Sequence, residues 1–293
     1  MFKNVQFYSF EGEVSFDPVG LELALLGRKS RKIGMMETAC EGWESPNGSV
    51  ELSSLVTGNR IVICMRRDDK VLPASVVREA VNERAKQIEE EAGRPVGRKE
   101  KGDIKDQVLQ ELLPQALVKT TRTLAYLSLD QNWMVIDASS ASKAEELIEL
   151  LRKTLGTLNV VVPATEASPE SLMLQWLYDD SSIPENFTLS DSCELHINNE
   201  SSGVIRCKGV DISRDEIKAH LNSGYRVTKL RMTWREQIEF TLHEDLSLHS
   251  LKFDAAVIDQ AEGDDEQSRF DADMTIMTEC LDTLINELMA VLV

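Results

Sequence analysis

The chain has 293 residues, of which 42% are apolar and 28% charged, the balance of a globular protein with one to three domains rather than a disordered or fibrous one. No apolar run reaches the roughly 18–20 residues of a membrane span. A formal charge of −18 excludes indiscriminate binding to nucleic acid through overall charge. The N-terminal stretch MFKNVQFYSFEGEVSF alternates like a strand and lacks the charged-then-apolar layout of a signal peptide, so a cytoplasmic protein is expected. Five scattered cysteines without a CxxC fit buried thiols in a reducing compartment.

Residues 1–72 read as strand-rich. NVQFYSF and GEVSF alternate, GRKSRK (Gly27 to Lys32) is a basic loop, SPNG at Ser45 is a turn, and NRIVICMRR is a short buried strand ending in cations. After Pro73 the period changes. Val77, Val81, Ala85 and Ile88 mark one helix with Gly93 just past its end, and Ile104, Val108 and Leu112 mark a second that opens at Asp103 and stops near Pro114. The link GRPVGRKEKG makes the two an αα-hairpin, and its thin apolar stripe implies a hairpin that projects.

TLAYLSL and NWMVIDA are strands around an Asp130-Gln131-Asn132 turn. Ser142 to Glu145 reads as a capping box before a helix striped by Ala144, Leu147, Ile148, Leu151 and Leu155, and Gly156 stops it. VVVPATEASPES breaks the pattern and suits a domain junction. GVIRCKGVDI is a strand, Ser213 to Glu216 a second capping box, and Ile217 and Leu221 the inward face of the helix it opens, which ends at Gly224. RVTKLRMTW, QIEFTL and LHSLKF read as successive antiparallel strands. An acidic loop, EGDDEQ, precedes a final helix bearing Met274, Met277, Leu281, Leu284 and Leu288. The fold class expected is α+β: antiparallel sheets with packed helices and a projecting helical hairpin.

The chain carries no GxxxxGK[ST], no GxGxxG after a strand and no GxSxG, and its four histidines form no obvious nucleophile–base set, so no cofactor is expected. Cys193, His196, Cys207 and His220 do not have the spacing of a zinc module. Glu216-Ile217-Lys218 matches the E-x-K fragment of nucleases, with Asp211 upstream, but falls on a helix where Glu216 already serves the capping box.

The cations are unevenly spread. Arg60 to Arg122 holds 14 Lys+Arg against 11 Asp+Glu, a net +3, while the remainder carries −21. Arg66, Arg67 and Lys70 end a strand; Arg94, Arg98, Lys99, Lys101 and Lys105 cluster at the hairpin tip; Lys208, Arg226, Lys229 and Arg231 lie near strand ends further on. Lysine and arginine that neutralise phosphates release counterions and give affinity without sequence preference. Aromatics make up 5% and none interleaves with the tip cations, which fits backbone contacts to a duplex rather than base stacking. The alternative for each cluster is a solvated face paired with nearby carboxylates.

The runs IVICMRRDDKVLPASVVREAV, IKDQVLQELLPQAL, VIDASSASKAEELIELLRKTLGTL, GVIRCKGVDISRDEIKAHLNSGYRVTKL and RFDADMTIMT, in this order over nearly the full length, resemble the bacterial RdgC family of recombination-associated proteins. The resemblance implies a non-enzymatic homodimer closed into a ring. Its horseshoe-like subunit would have a centre (residues 1–72 and 115–165), a tip (73–114) and a base (166–293). It further implies non-specific binding of double-stranded DNA through a basic central hole, nucleoid association, and restraint of RecA by occupying DNA that RecA would use. The DNA-binding set expected is Arg66, Arg67, Lys70, Arg94, Arg98, Lys99, Lys101, Lys105, Lys208, Arg226 and Lys229, of which the resemblance implies Lys70, Arg94, Lys105 and Lys208 as basic positions. Leu117 falls where the family usually has a Phe that contributes to contacts at the hairpin base or the subunit junction, so it is expected as a dimer contact. Gly209, Val210 and Tyr225 depart from the family's Lys, Gln and Lys. The competing function is a protein-interaction scaffold whose basic tip docks an acidic partner without DNA.

Overall fold

The computed structural model describes residues 1–12, 17–49, 52–197, 203–259 and 265–292, so residues 13–16 of the expected GEVSF strand and residues 262–264 of the acidic EGDDEQ loop lie outside the described residues. The elements in chain order are β1 (Val5–Phe10), α1 (Pro18–Leu26), β2 (Ala39–Glu44), β3 (Ser54–Thr57), β4 (Arg60–Val71), α2 (Ala74–Ala92), α3 (Arg98–Leu112), β5 (Leu117–Ser128), β6 (Trp133–Asp137), α4 (Ala141–Leu155), β7 (Val160–Val161) and α5 (Pro169–Tyr178). They continue with β8 (Phe187–Ile197), β9 (Gly203–Lys208), α6 (Asp215–Asn222), β10 (Arg226–Trp234), β11 (Ile238–His243), β12 (Leu248–Phe253), α7 (Ala255–Ile258) and α8 (Glu266–Leu292). The fold is α+β, with a twelve-stranded antiparallel sheet.

The chain divides into two compact units, residues 1–27, 45–64 and 123–293 in the first and 28–44 and 65–122 in the second, and β4 and β5 each contribute residues to both. In the first unit the strand order runs β5-β6-β1-β12-β11-β10-β8-β9, with β7 on β1 and β3 on β4. Both faces of the central strands are covered: Val135 joins the main core on one side, while Met134 and Ile136, which point the other way, are also fully buried. Toward β9 only one face is covered. Leu195, Leu230, Met232, Trp234, Phe240 and Leu242 pack with Met277, Leu281, Leu284 and Leu288 of α8. The alternate residues, among them Glu194, Lys229, Arg231, Glu239 and His243, stay half-exposed on the opposite face.

A buried carboxylate anchors the core of this unit. Asp282 of α8 accepts hydrogen bonds from Arg60 Nε at 2.6 Å, Tyr126 Oη at 2.9 Å and Ser128 Oγ at 2.6 Å. Three donors and an opposite charge offset the desolvation of an acid only 2% exposed.

In the second unit α2 and α3 form the expected hairpin. Gly93 ends α2 in the left-handed conformation at φ 63°, which a side chain would strain. The hairpin core is small: Val77, Ala85, Val96, Ile104 and Val108 are buried, with Leu72, Val81, Ile88, Leu109 and Leu112 packed beside them. The basic loop from Arg28 runs beside β2, where Ser30 N donates to Trp43 O at 2.7 Å and Trp43 N to Arg28 O at 2.9 Å. A Cβ at Gly42 would stand 2.7 Å from Ser30 Cα, so this approach needs glycine.

Four expectations are corrected. The second helix opens at Arg98, not Asp103, because Lys, Arg and Glu propagate a helix well and Gly102 is tolerated inside it. The first capping box is displaced: Ser140 rather than Ser142 accepts from Lys143 N. The second does not form, since Ser213 turns back to Asp211 and the N-cap of α6 is Arg214 without a side-chain bond. Part of the stretch read as a junction is α5, capped by Ser168 and anchored by buried Met173, Trp176 and Leu177.

Candidate nucleic-acid interface

In the first unit, the open face of β8 to β12 gathers cations through strand register. Arg206 of β9 lies opposite Glu194 of β8, and Glu194 lies opposite Lys229 of β10. Lys208 is two residues from Arg206, and Arg231 two from Lys229, so each repeats on the same face. Lys252 of β12 sits opposite Glu239 of β11. Five cations are thereby set against two carboxylates, with Asp191 at the irregular stretch of β8 also acting on Arg231.

The two carboxylates are shared. Glu194, with a side chain 12% exposed, takes Arg206 Nε at 2.7 Å, His196 Nε2 at 2.9 Å and Lys229 Nζ at 3.0 Å. Burial pushes its carboxyl up, but the hydrogen bonds from Arg206, His196 and Lys229 outweigh that and hold it down at about 2. Glu239 binds Arg231 through both guanidinium arms and reaches Lys252 at 3.5 Å. The hydrogen bonds from Arg231 lower its carboxyl despite burial. Arg206 and Lys252 remain 73% and 68% exposed in their side chains, and Lys208 is exposed with no ion pair among the described residues. The face therefore offers cations at fixed spacing on a rigid sheet, an arrangement suited to a row of phosphates.

His243 and His249 stack at the end of this face, rings parallel to within 3° and 3.9 Å apart. Burial first, and then the neighbouring His249 and Lys229 charges, bring His243 down to about 4. Burial lowers His249 as well, and Lys229 adds to it against the pull of Asp245.

In the second unit the expected site residues separate into two groups. Arg66 grips Asp68 with two nitrogens, at 3.0 and 2.9 Å, in a cluster with Glu44, Arg122 and Thr120. Its hydrogen bonds hold the Asp68 carboxyl below the usual range despite burial. Arg67 pairs with Asp69 and Glu41, and Arg94 binds Glu100 through two nitrogens at 2.8 and 3.0 Å. Lys70 gives its ammonium to the carbonyls of Met35 and Leu113. These four are engaged within the unit. Arg98, Lys99, Lys101 and Lys105 have no carboxylate partner among the described residues. Three of them occupy the opening of α3, where cations oppose the helix dipole, so local stability does not explain them.

A cleft of about 580 Å³ opens between the first half of α2 and α3, toward the base of the hairpin. Leu72, Val77, Val81, Leu109 and Leu113 line it, Lys70, Arg78, Lys101 and Lys105 rim it, and no carboxylate does. Leu117 is 79% exposed, and Met35, Met36, Val71 and Val118 of the same unit are exposed too.

Of the remaining expected residues, Arg226 bonds Glu170 of α5 at 3.1 Å, while Lys208 and Lys229 share the open sheet face. Arg206 and Lys252 join that face without having been expected there. Alternation in VIRCK places Arg206 beside Lys208, but the register that brings Lys252 to Glu239 is not visible in sequence. Cys193 lies on the core side of β8 and His196 on the other, and His220 packs its ring against Tyr225, so these do not converge as metal ligands. Asp211 is bound by Ser213 and faces Arg214, and no group of three acids, histidines or cysteines able to hold a metal occurs among the described residues. No helix among those residues is long and apolar enough to cross a membrane.

Fold and site together define an α+β protein with a cation-bearing sheet face and a separate basic helical hairpin. The chain belongs to the RdgC family: the family model described as "RdgC: Putative exonuclease, RdgC" matches residues 1–293. A relative from Psychromonas ingrahamii is 39% identical over 293 residues, covering 99% of this chain and 97% of the relative. One from Aeromonas hydrophila is 39% identical over 297 residues with the same coverage, and one from Pseudomonas syringae pv. tomato 35% over 281 residues, 94% of this chain and 92% of the relative. All three are named recombination-associated protein RdgC, whereas the family description speaks of an exonuclease.

Proposed function

We propose that this protein binds double-stranded DNA without sequence preference as a ring-shaped homodimer, and so limits the access of RecA during recombination. One observation carries the reading: a chain of net charge −18 sets five cations against three carboxylates, Glu194, Glu239 and Asp191, on the open face of its sheet. Exposed carboxylates elsewhere would keep stray polyanions away, while a duplex held against this face meets the cations at short range. Charges more than a Debye length away, about 8 Å at physiological salt, contribute little. The relatives' printed name supports a role in recombination. Exposed Leu117 supports a contact with a second subunit. The division into centre, tip and base, and a cytoplasmic, nucleoid-associated location, belong to the same proposal.

The reading is of binding without cleavage. Sizing the protein and titrating it with two unrelated duplexes at two salt concentrations tests it. A dimer with equal affinity for both duplexes, weakened by salt, is expected, and the duplex should be recovered intact in the presence of Mg²⁺. Cleavage that Glu216→Gln abolishes would replace binding by a nuclease.

A second reading rests on the cleft beside α3, which is apolar within and cationic at its rim. In it the hairpin docks an acidic segment with an apolar face and no DNA is bound. Absence of any mobility shift at low salt would favour it.

A further inference from the structure

Two of the five thiols meet across neighbouring strands. Cys193 of β8 lies directly opposite Cys207 of β9, and both side chains point to the core side of the sheet. Both are free thiols, Cys193 buried and Cys207 half-exposed. Residues paired across antiparallel strands have Cα atoms about 4.5 or 5.5 Å apart, according to which kind of pair they form. Both spacings fall within the roughly 4.4–6.8 Å that a disulfide spans. Both side chains join the same apolar cluster, so the two thiols stand on one face of the sheet at directly opposed positions.

We propose that Cys193 and Cys207 form a reversible disulfide within one chain, closed by exchange with a small-molecule disulfide. The half-exposed Cys207 reacts first. Its thiolate attacks one sulfur of the reagent, breaks the reagent's S–S bond and releases one equivalent of reagent thiol. Cys193 then loses its proton to solvent and attacks the Cys207 sulfur of the mixed disulfide, and the second reagent thiol departs. One reagent disulfide is reduced to two thiols as two cysteines are oxidised to one cystine. The order follows from access and acidity together. Burial first, and then the Cys207 thiol beside it, push Cys193 up to about 12, so Cys193 is a poor first nucleophile.

The bond would pin an edge. β9 ends the strand order and is held by β8 alone. The cysteine pair lies between the Ser192–Lys208 and Glu194–Arg206 pairs, whose side chains point to the opposite face. Oxidation would fix the strand that presents Arg206 and Lys208, while those side chains remain free on the other side. The site stands independently of whether DNA is the ligand.

The test is exchange of the native full-length chain with oxidised glutathione, followed by thiol counting after denaturation and by mass mapping without reduction. The expected result is loss of two of the five thiols, one peptide linking Cys193 to Cys207, and recovery of all five with dithiothreitol. Because the link closes a loop in the unfolded chain, the thermal midpoint of the oxidised form should rise by several degrees. Cys193→Ala and Cys207→Ala should each abolish the linked peptide, and a chain with Cys40, Cys64 and Cys280 all changed to Ala should keep it. Five thiols remaining in the wild type, glutathione retained on Cys207 with no linked peptide, or a link between two chains would overturn the proposal.

Discussion

The open sheet face and the helical hairpin both collect cations, but they hold them differently. On the sheet, Glu194 and Glu239 each bind more than one basic side chain, and the strand register fixes the spacing. On the hairpin, Arg98, Lys99, Lys101 and Lys105 have no acid to hold them among the described residues, and the supporting core is five buried residues. A cation already positioned loses little conformational freedom when it meets a phosphate. A free lysine gives up as much as about 1.5–2 kcal/mol of side-chain entropy. The sheet is thus suited to register and the hairpin to capture, and each can be broken separately.

The largest effect is expected on the sheet. Neutralising Arg206, Lys229 and Lys252, the cations held by Glu194 and Glu239, together to Gln should weaken duplex binding about 100-fold at physiological salt. It should also flatten the plot of log affinity against log salt by about 0.9 for each phosphate no longer neutralised. Equal weakening with unrelated duplexes, in a mobility-shift titration, would confirm that the backbone is what the face meets. The same neutralisation of Arg98, Lys99, Lys101 and Lys105 should cost about 10-fold, since these side chains are not prearranged. It should also raise the thermal midpoint slightly, because removing cations from the start of α3 relieves the helix dipole by about 0.3–1 kcal/mol per charge. A larger effect from the hairpin than from the sheet would reverse the assignment of roles.

Much of this architecture could be read along the chain, and the reasons it could not elsewhere are specific. The α2–α3 hairpin and the α4 stripe follow from periodicity, because one face of each must be buried. α1 escapes such a reading because PVGLELALL is apolar nearly all round and gives no face to count. α5 is hidden behind the prolines and serines that open it. At the site, the tip cations are legible as a cluster in sequence. The pairing that immobilises Arg66 with Asp68 is local, two residues away on one strand face, and was within reach of the sequence. Glu194 could not be foreseen as a hub, since its partners Arg206 and Lys229 come from two other strands and the register of both is a long-range property.

Glu194→Gln sharpens the comparison from the other side. It removes the charge and one of the two acceptor oxygens shared by Arg206, His196 and Lys229 and should destabilise the fold by about 2 kcal/mol, read as a lowered thermal midpoint. Unfolded Glu194 takes up its proton near 4.5 and folded Glu194 near 2, so the folded state binds fewer protons between them. The wild type should hold this stability above pH 4.5 and lose it as pH falls to about 2, and the variant should lack that component.

The smallest effect is expected at the histidine stack. His243 is depressed from 6.5 to about 4, so unfolding takes up a proton in that window. Stability should be full above pH 6.5 and decline toward pH 4, with Glu194, Asp245, Lys229 and His249 the charged and titratable groups around it. His243→Gln should flatten denaturant midpoints over this range. An unchanged profile would show that the ring is open to water.

The most direct test of the central claim is the salt dependence of duplex affinity for the unmodified protein. If five sheet cations meet phosphates, log affinity should fall linearly with log salt at a slope of about −4 to −5, and steeper if the hairpin joins. A flat plot, or no binding at low salt, would contradict the account.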